Sequence, residues 1–116
     1  VNAAMLRKAA RLFQGTHDFS AFGSPTSPDG TTIRTVRSAA WTRQNDEWLF
    51  EIEADAFLYR MVRRLVFLQV AYAQGRGSLE ALSASLADPG GQTPGILPAG
   101  LAPAHGLVLA GVTYDP

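Results

Sequence analysis

Cysteine is missing from all 116 residues, which excludes disulfides, cysteine-ligated zinc and thiol nucleophiles. Only 2 histidines are present, His17 and His105. They lie far apart in sequence, so metal ligands are poorly supplied and no metal site is expected. No apolar run approaches the ~20 residues of a membrane span, and the first residues have none of the build of a signal peptide. Net charge is lacking too, since 10 basic side chains balance 10 acidic ones; attraction to an anionic polymer must come from local clustering of arginines. Neither internal repeats nor blocks of like charge occur. The chain begins with Val rather than Met, a weak pointer to an excised fragment.

What is present is a globular composition, 47% hydrophobic and 17% charged, in one domain (1–116) long enough to bury a core. Asn2 is placed to cap a first helix whose apolar positions Met5, Leu6, Ala9, Ala10, Leu12 and Phe13 recur at helical spacing. Gly15 suits the left-handed position that ends it. Residues 16–30 read as a loop closing in "SPTSPDG". "TIRTVRSAAWTR" and "EWLFEIEA" read as strands joined by a turn at "QNDE". The first puts Ile33, Ala39 and Trp41 on one side with imperfect alternation; the second alternates Trp48, Phe50, Ile52 and Ala54 against Leu49, Glu51 and Glu53. Asp55 is the expected cap of a helix running to about Tyr72, and Ser78 of a shorter one carrying Leu79, Leu82 and Leu86. A long Gly/Pro-rich connection precedes an apolar last strand, "LVLAGVTY". The expected fold is α+β, with helices on one face of a mainly antiparallel sheet.

The stretch "ADAFLYRMVRRLV" (54–66) poses the functional question. It reads as a mostly apolar helix interrupted by Arg60, Arg63 and Arg64. At about 100° per residue, Leu58, Met61, Val62, Leu65, Gln69 and Tyr72 share the packing face, while Arg63 is collared by Tyr59, Val66, Phe67 and Val70. A guanidinium cannot shed its charge, so burial requires an anionic or hydrogen-bonding partner. On the residues alone two partners stand equal: one of this chain's own carboxylates, or an acid supplied from elsewhere.

The same stretch resembles the helix motif A-[DN]-[AG]-F-L-x-x-M-V-R of the tRNA pseudouridine synthases of the A type. "LFQGTHDFSAF" (12–22) resembles the family's L-x-G-x-H-D-F-x-x-F, followed by an R-x-[VI] strand entry at Arg34, Thr35 and Val36. "APAHGLVLAGVTY" (102–114) resembles its A-P-x-x-G-L-x-L-x-x-V-x-Y ending. Order and spacing agree over nearly the whole chain.

The resemblance implies a protein of two similar halves, each ferredoxin-like, with an RNA-binding cleft between them, of which this chain is the C-terminal half. The catalytic aspartate of the family lies in a Gly-Arg-Thr-Asp motif of the other half, and no such motif occurs here; the chain alone is expected to be inactive. By resemblance Arg63, the final Arg of the helix motif, belongs to the catalytic apparatus as partner of that aspartate. The implied reaction isomerises uridine to pseudouridine in the tRNA anticodon arm (positions 38–40), without metal or cofactor, in a cytoplasmic homodimer. Partners so implied are tRNA and the chain's own N-terminal domain. Family helices usually carry Gly where Phe67 stands.

The remaining candidates carry weaker readings. Arg34, Arg60 and Arg64 are candidate phosphate contacts; Arg37 reads as ordinary solvated charge. His17 and Asp18 either form a hydrogen-bonded pair touching RNA or only organise the loop backbone, while Phe19 and Phe22 read as core plugs. His105 is expected in a loop near the cleft, and Gly106 and Gly111 where backbone approaches closely. Rival readings are a non-catalytic ferredoxin-like RNA-binding module and a dimerisation domain. The former requires aromatic platforms on strands, for which Trp41 and Trp48 are better spent in packing.

Overall fold

The computed structural model describes residues 2–25, 30–45, 47–87, 100 and 102. The chain runs α1 (Ala3–Leu12), β1 (Gly15–Asp18), β2 (Ile33–Gln44), β3 (Glu47–Ala54), α2 (Met61–Ala73) and α3 (Leu79–Ala87). The three strands form one antiparallel sheet in the order β1-β2-β3, an α+β arrangement as the sequence pattern requires.

α1 is closed at its start by Asn2, whose Oδ1 accepts from the Met5 amide at 3.1 Å, and it buries Leu6, Ala9 and Ala10. α3 is capped by Ser78, whose Oγ accepts from the Ala81 amide at 3.1 Å; Leu82 and Leu86 are buried. The turn between β2 and β3 places Asn45 in the left-handed region at φ 56°, a conformation asparagine tolerates, and it closes the Gln44–Glu47 pair.

The imperfect alternation of β2 has a structural cause. Val36 pairs with Ala54 and Ser38 with Glu53, so Arg37 is an extra residue, a β-bulge. The insertion shifts the parity, and Val36, Ala39 and Trp41 all face the core with Ile52 and Ala54 of β3. Ile33, which strict alternation assigns to the inner side, is 52% exposed. α2 crosses this face. Gln69, fully buried mid-helix, accepts from the Trp41 indole N–H at 2.9 Å and donates to the Leu65 carbonyl at 3.1 Å. A buried indole donor and a buried amide thus satisfy each other across the layers.

Two local expectations are corrected. The segment after α1 is a strand over Gly15–Asp18 rather than loop from residue 16; it is too short for its pattern to register. The helix expected from Asp55 begins at Met61. Asp55 instead turns its carboxylate back to β2, where Oδ1 accepts from the Thr35 amide at 3.0 Å and from its neighbour Ala56 at 2.9 Å. Phe13, Phe19 and Phe22 form a buried cluster with ring centroids 5.6–6.5 Å apart. The expected last strand lies outside the described residues, as do His105, Gly106 and Gly111, and so does the connection before it apart from Gly100 and Ala102.

Candidate nucleic-acid interface

The approach to α2 is extended. Tyr59 exchanges both backbone hydrogen bonds with Ser24, its N–H donating to the Ser24 carbonyl at 2.8 Å and its carbonyl accepting at 3.3 Å. This miniature antiparallel bridge pins the segment 20–24 to the start of the helix. Gly23 makes the approach possible, for a Cβ there would stand 2.7 Å from the Tyr59 carbonyl oxygen and 2.8 Å from the Leu58 Cβ. The chain then turns sharply at Arg60, which adopts φ 64° in the left-handed region and gives α2 no side-chain cap. Between the two segments lies an open cleft of about 340 Å³, lined by Ser20, Ala21, Phe22, Gly23, Ser24, Tyr59, Arg60 and Arg64.

Arg63 stands in the first turn of α2 and is half-buried. Its Nε donates to the Ala102 carbonyl at 2.8 Å, and the Ala102 amide returns a bond to the Arg63 carbonyl at 3.1 Å. Among the described residues no carboxylate pairs with it. Arg64 is held in parallel, its Nη1 donating to the Gly100 carbonyl at 2.8 Å; burial pushes its guanidinium below the usual value. Gly100 and Ala102 are thereby each tied by backbone to one of two successive arginines. Phe67 lies against Gly100. A Cβ on Gly100, whose φ is 145°, would lie 2.5 Å from the ring's Cζ, so the large ring is matched by a residue without a side chain. On another side of the ring the Arg76 guanidinium lies 5.7 Å from its centroid.

Tyr59 precedes the helix rather than lying on its surface. Its ring is 57% exposed and carries the Arg60 guanidinium 4.9 Å from its centroid. Val66, Phe67 and Val70 are partly buried and pack against the core.

His17, Asp18 and Arg34 lie on the β1–β2 ladder. His17 is opposite Arg34 in the β1–β2 ladder. Its Nε2 meets the Gln14 carbonyl at 2.8 Å, and its ring stands edge-on to Phe19 at 5.7 Å. Asp18 Oδ1 accepts from the Thr32 hydroxyl at 2.6 Å and from the Ser20 amide at 3.0 Å. The Thr32 hydroxyl, more than any other contact, holds its carboxyl below the ordinary value. His17 thus bonds the Gln14 backbone, while Asp18 joins Thr32 to Ser20 and so fixes the entry to the cleft lip. Arg34 donates through Nη1 to the Thr31 and Ile33 carbonyls, both at 2.8 Å, while its Nε is buried without a partner.

The structure thus places Arg60 and Arg64 on the cleft they share with Ser20–Ser24, holds Arg63 against Ala102, and leaves Arg34 on the strand opposite His17. The roles of Tyr59, Gly23 and Ser24 were not evident in the sequence, since nothing in the periodicity of either segment points to the other.

A family model described as tRNA pseudouridine synthase matches residues 9–115. The chain belongs to the tRNA pseudouridine synthase family. It is similar to tRNA pseudouridine synthase A of Chloroflexus aurantiacus, with 36% identity over 123 residues covering 100% of this chain and 42% of the relative. The tRNA pseudouridine synthase A of Methylacidiphilum infernorum is 37% identical over 117 residues, 100% of this chain and 44% of the relative. In Mus musculus, tRNA pseudouridine synthase-like 1 is 35% identical over 128 residues, 99% of this chain and 43% of the relative. The chain therefore spans less than half the length of these synthase relatives. Among the described residues no helix is long and apolar enough to cross a membrane.

Proposed function

We propose that this chain is the C-terminal half of a cytoplasmic, homodimeric tRNA pseudouridine synthase that isomerises uridines of the anticodon arm at positions 38–40. Its N-terminal half carries the aspartate, and this half supplies the basic wall of the cleft. In the reaction the bond from uracil N1 to the ribose breaks, the base turns, and C5 takes the ribose while losing its proton; N1 gains one. No cofactor is called for. The base has to leave its stack to be reached.

Arg63 is the proposed partner of the aspartate. Such an acid must be ionised inside a pocket that excludes water, where burial raises a carboxyl pKa; an adjacent arginine opposes this by roughly 1–3 units. Arg63 is suited to the task because its Nε is committed to the Ala102 carbonyl, which fixes the plane of the guanidinium. A fixed fork orients a carboxylate as well as charging it. Arg60, Arg64 and Arg34 are proposed to meet tRNA phosphates, an interaction that carries affinity without sequence information.

The observation supporting this reading above others is a half-buried cation tied down by backbone, with no carboxylate beside it among the described residues. The test is Arg63→Ala in the full-length enzyme. Turnover is expected to collapse by at least about a hundredfold while the Kd for tRNA changes less than about threefold, as for removal of a preorganised electrostatic group. Equal loss of folding and binding would instead assign Arg63 to the architecture, and undiminished turnover would remove it from the mechanism.

A further inference from the structure

We infer that the exposed Tyr59 ring, with Arg60 stacked on it, is a platform for one unpaired nucleobase, a subsite distinct from the Arg63 position. The inference rests on the RNA-modifying reading above and names a ligand for the cleft that reading leaves unused.

Three observations converge. Tyr59 is a large aromatic residue left 57% exposed, and its backbone is fixed by both its N–H and its carbonyl to Ser24. The guanidinium of Arg60 lies 4.9 Å from the ring centroid, so a flat aromatic and a flat cation already form a stack. The backbone at Arg60 is held in a left-handed conformation, φ 64°, that is unfavourable for a non-glycine residue. Strain of this kind persists where surroundings over-determine it and gathers at functional positions. Here it sets the arginine over the ring instead of continuing the helix.

The ring opens onto a cleft of about 340 Å³, at the small end of the range for ligand sites, roughly 300–1,000 Å³. Its opposite lip offers the exposed Ser24 as a polar group to meet a base edge, and Arg60 is at hand for the adjoining phosphate. Single-stranded RNA is recognised in this manner, by splayed bases stacked on aromatic or guanidinium planes. A protein partner fits less well, because a stacked Tyr–Arg pair over a serine-lined slot provides little apolar area.

The test uses the full-length enzyme and an anticodon stem-loop RNA in which each loop nucleotide is replaced in turn by an abasic one. Tyr59→Ala is expected to weaken binding of the intact loop about fivefold to 150-fold, the range for one lost base stack. Tyr59→Phe is expected to bind like the wild type. At one loop position the abasic RNA should lose as much with wild-type enzyme as Tyr59→Ala loses with intact RNA, and the two changes together should lose no more. Unchanged binding by Tyr59→Ala, or losses that add at every loop position, would overturn the subsite. The thermal midpoint of Tyr59→Ala is measured alongside; weak binding together with a fall in that midpoint, unrelieved by Tyr59→Phe, also counts against it. Turnover of Arg63→Ala separates the two readings, since its collapse beside unaltered Tyr59→Ala binding sinks the subsite alone.

Discussion

At the scale of single residues, Asp18 holds together segments that lie apart in sequence. Its carboxylate gathers the Thr32 hydroxyl and the Ser20 amide, linking the end of β1, the start of β2 and the cleft lip. These bonds are stronger to the charged form, and its pKa lies below the ordinary carboxylate value, chiefly through Thr32. A depressed folded-state pKa adds stability that is present above the unfolded value, about 3.9 for aspartate, and that is lost as pH falls through the folded value. Asp18→Asn keeps an acceptor oxygen but no longer titrates there. We expect it to be less stable than the wild type at pH 7, with the gap narrowing as pH falls below the unfolded value of about 3.9. Urea midpoints of both proteins across that range check the sign; a constant gap would mean that the Asp18 charge contributes nothing.

At the scale of elements, the arginine-bearing first turn of α2 separates what the sequence made legible from what it did not. The apolar spacing after Met61 revealed the helix and its packing face, including Gln69. Its start was hidden, because Asp55 looks like an N-cap and only a long-range partner, the Thr35 amide of β2, diverts it. Similarly, the core of β2 showed as imperfect alternation, but the bulge at Arg37 that reconciles it depends on β3. At the site, the three arginines stood out as charges in an apolar run. The bonds from Gly100 and Ala102 to two of them and the bridge from Ser24 to Tyr59 did not, being contacts across distances that periodicity cannot report. The left-handed turn at Arg60 yields a prediction of its own. Arg60→Gly removes the Cβ that makes φ 64° unfavourable, while adding about 0.5–1 kcal/mol of backbone entropy to be lost on folding. The expected outcome is a thermal midpoint equal to or above the wild type and weaker tRNA binding in the full-length enzyme. A lowered midpoint with intact binding would make Arg60 a structural residue.

At the scale of the molecule, a chain with formally balanced charge concentrates three arginines at one end of one helix, and spans 42–44% of the length of the synthase relatives cited above. Its core is continuous from α1 through the sheet to α2 and α3. Chemistry is another matter. Arg63, held against Ala102, provides a positive charge in a fixed orientation, and a positive charge cannot attack a nucleoside; on the reading proposed here, the nucleophile and the second cleft wall come from the other half. Uridine that becomes pseudouridine must release the hydrogen on C5, so tritium placed there enters water at each turnover. The chain alone is expected to release none from tritiated tRNA, while retaining weak RNA binding that falls with salt, with a slope of log K against log salt of about 2–3 if Arg34, Arg60 and Arg64 each displace one counterion. The full-length enzyme should release tritium under the same conditions. Release by the chain alone would place an acid within it and undo the assignment of Arg63 to a carboxylate from the other half.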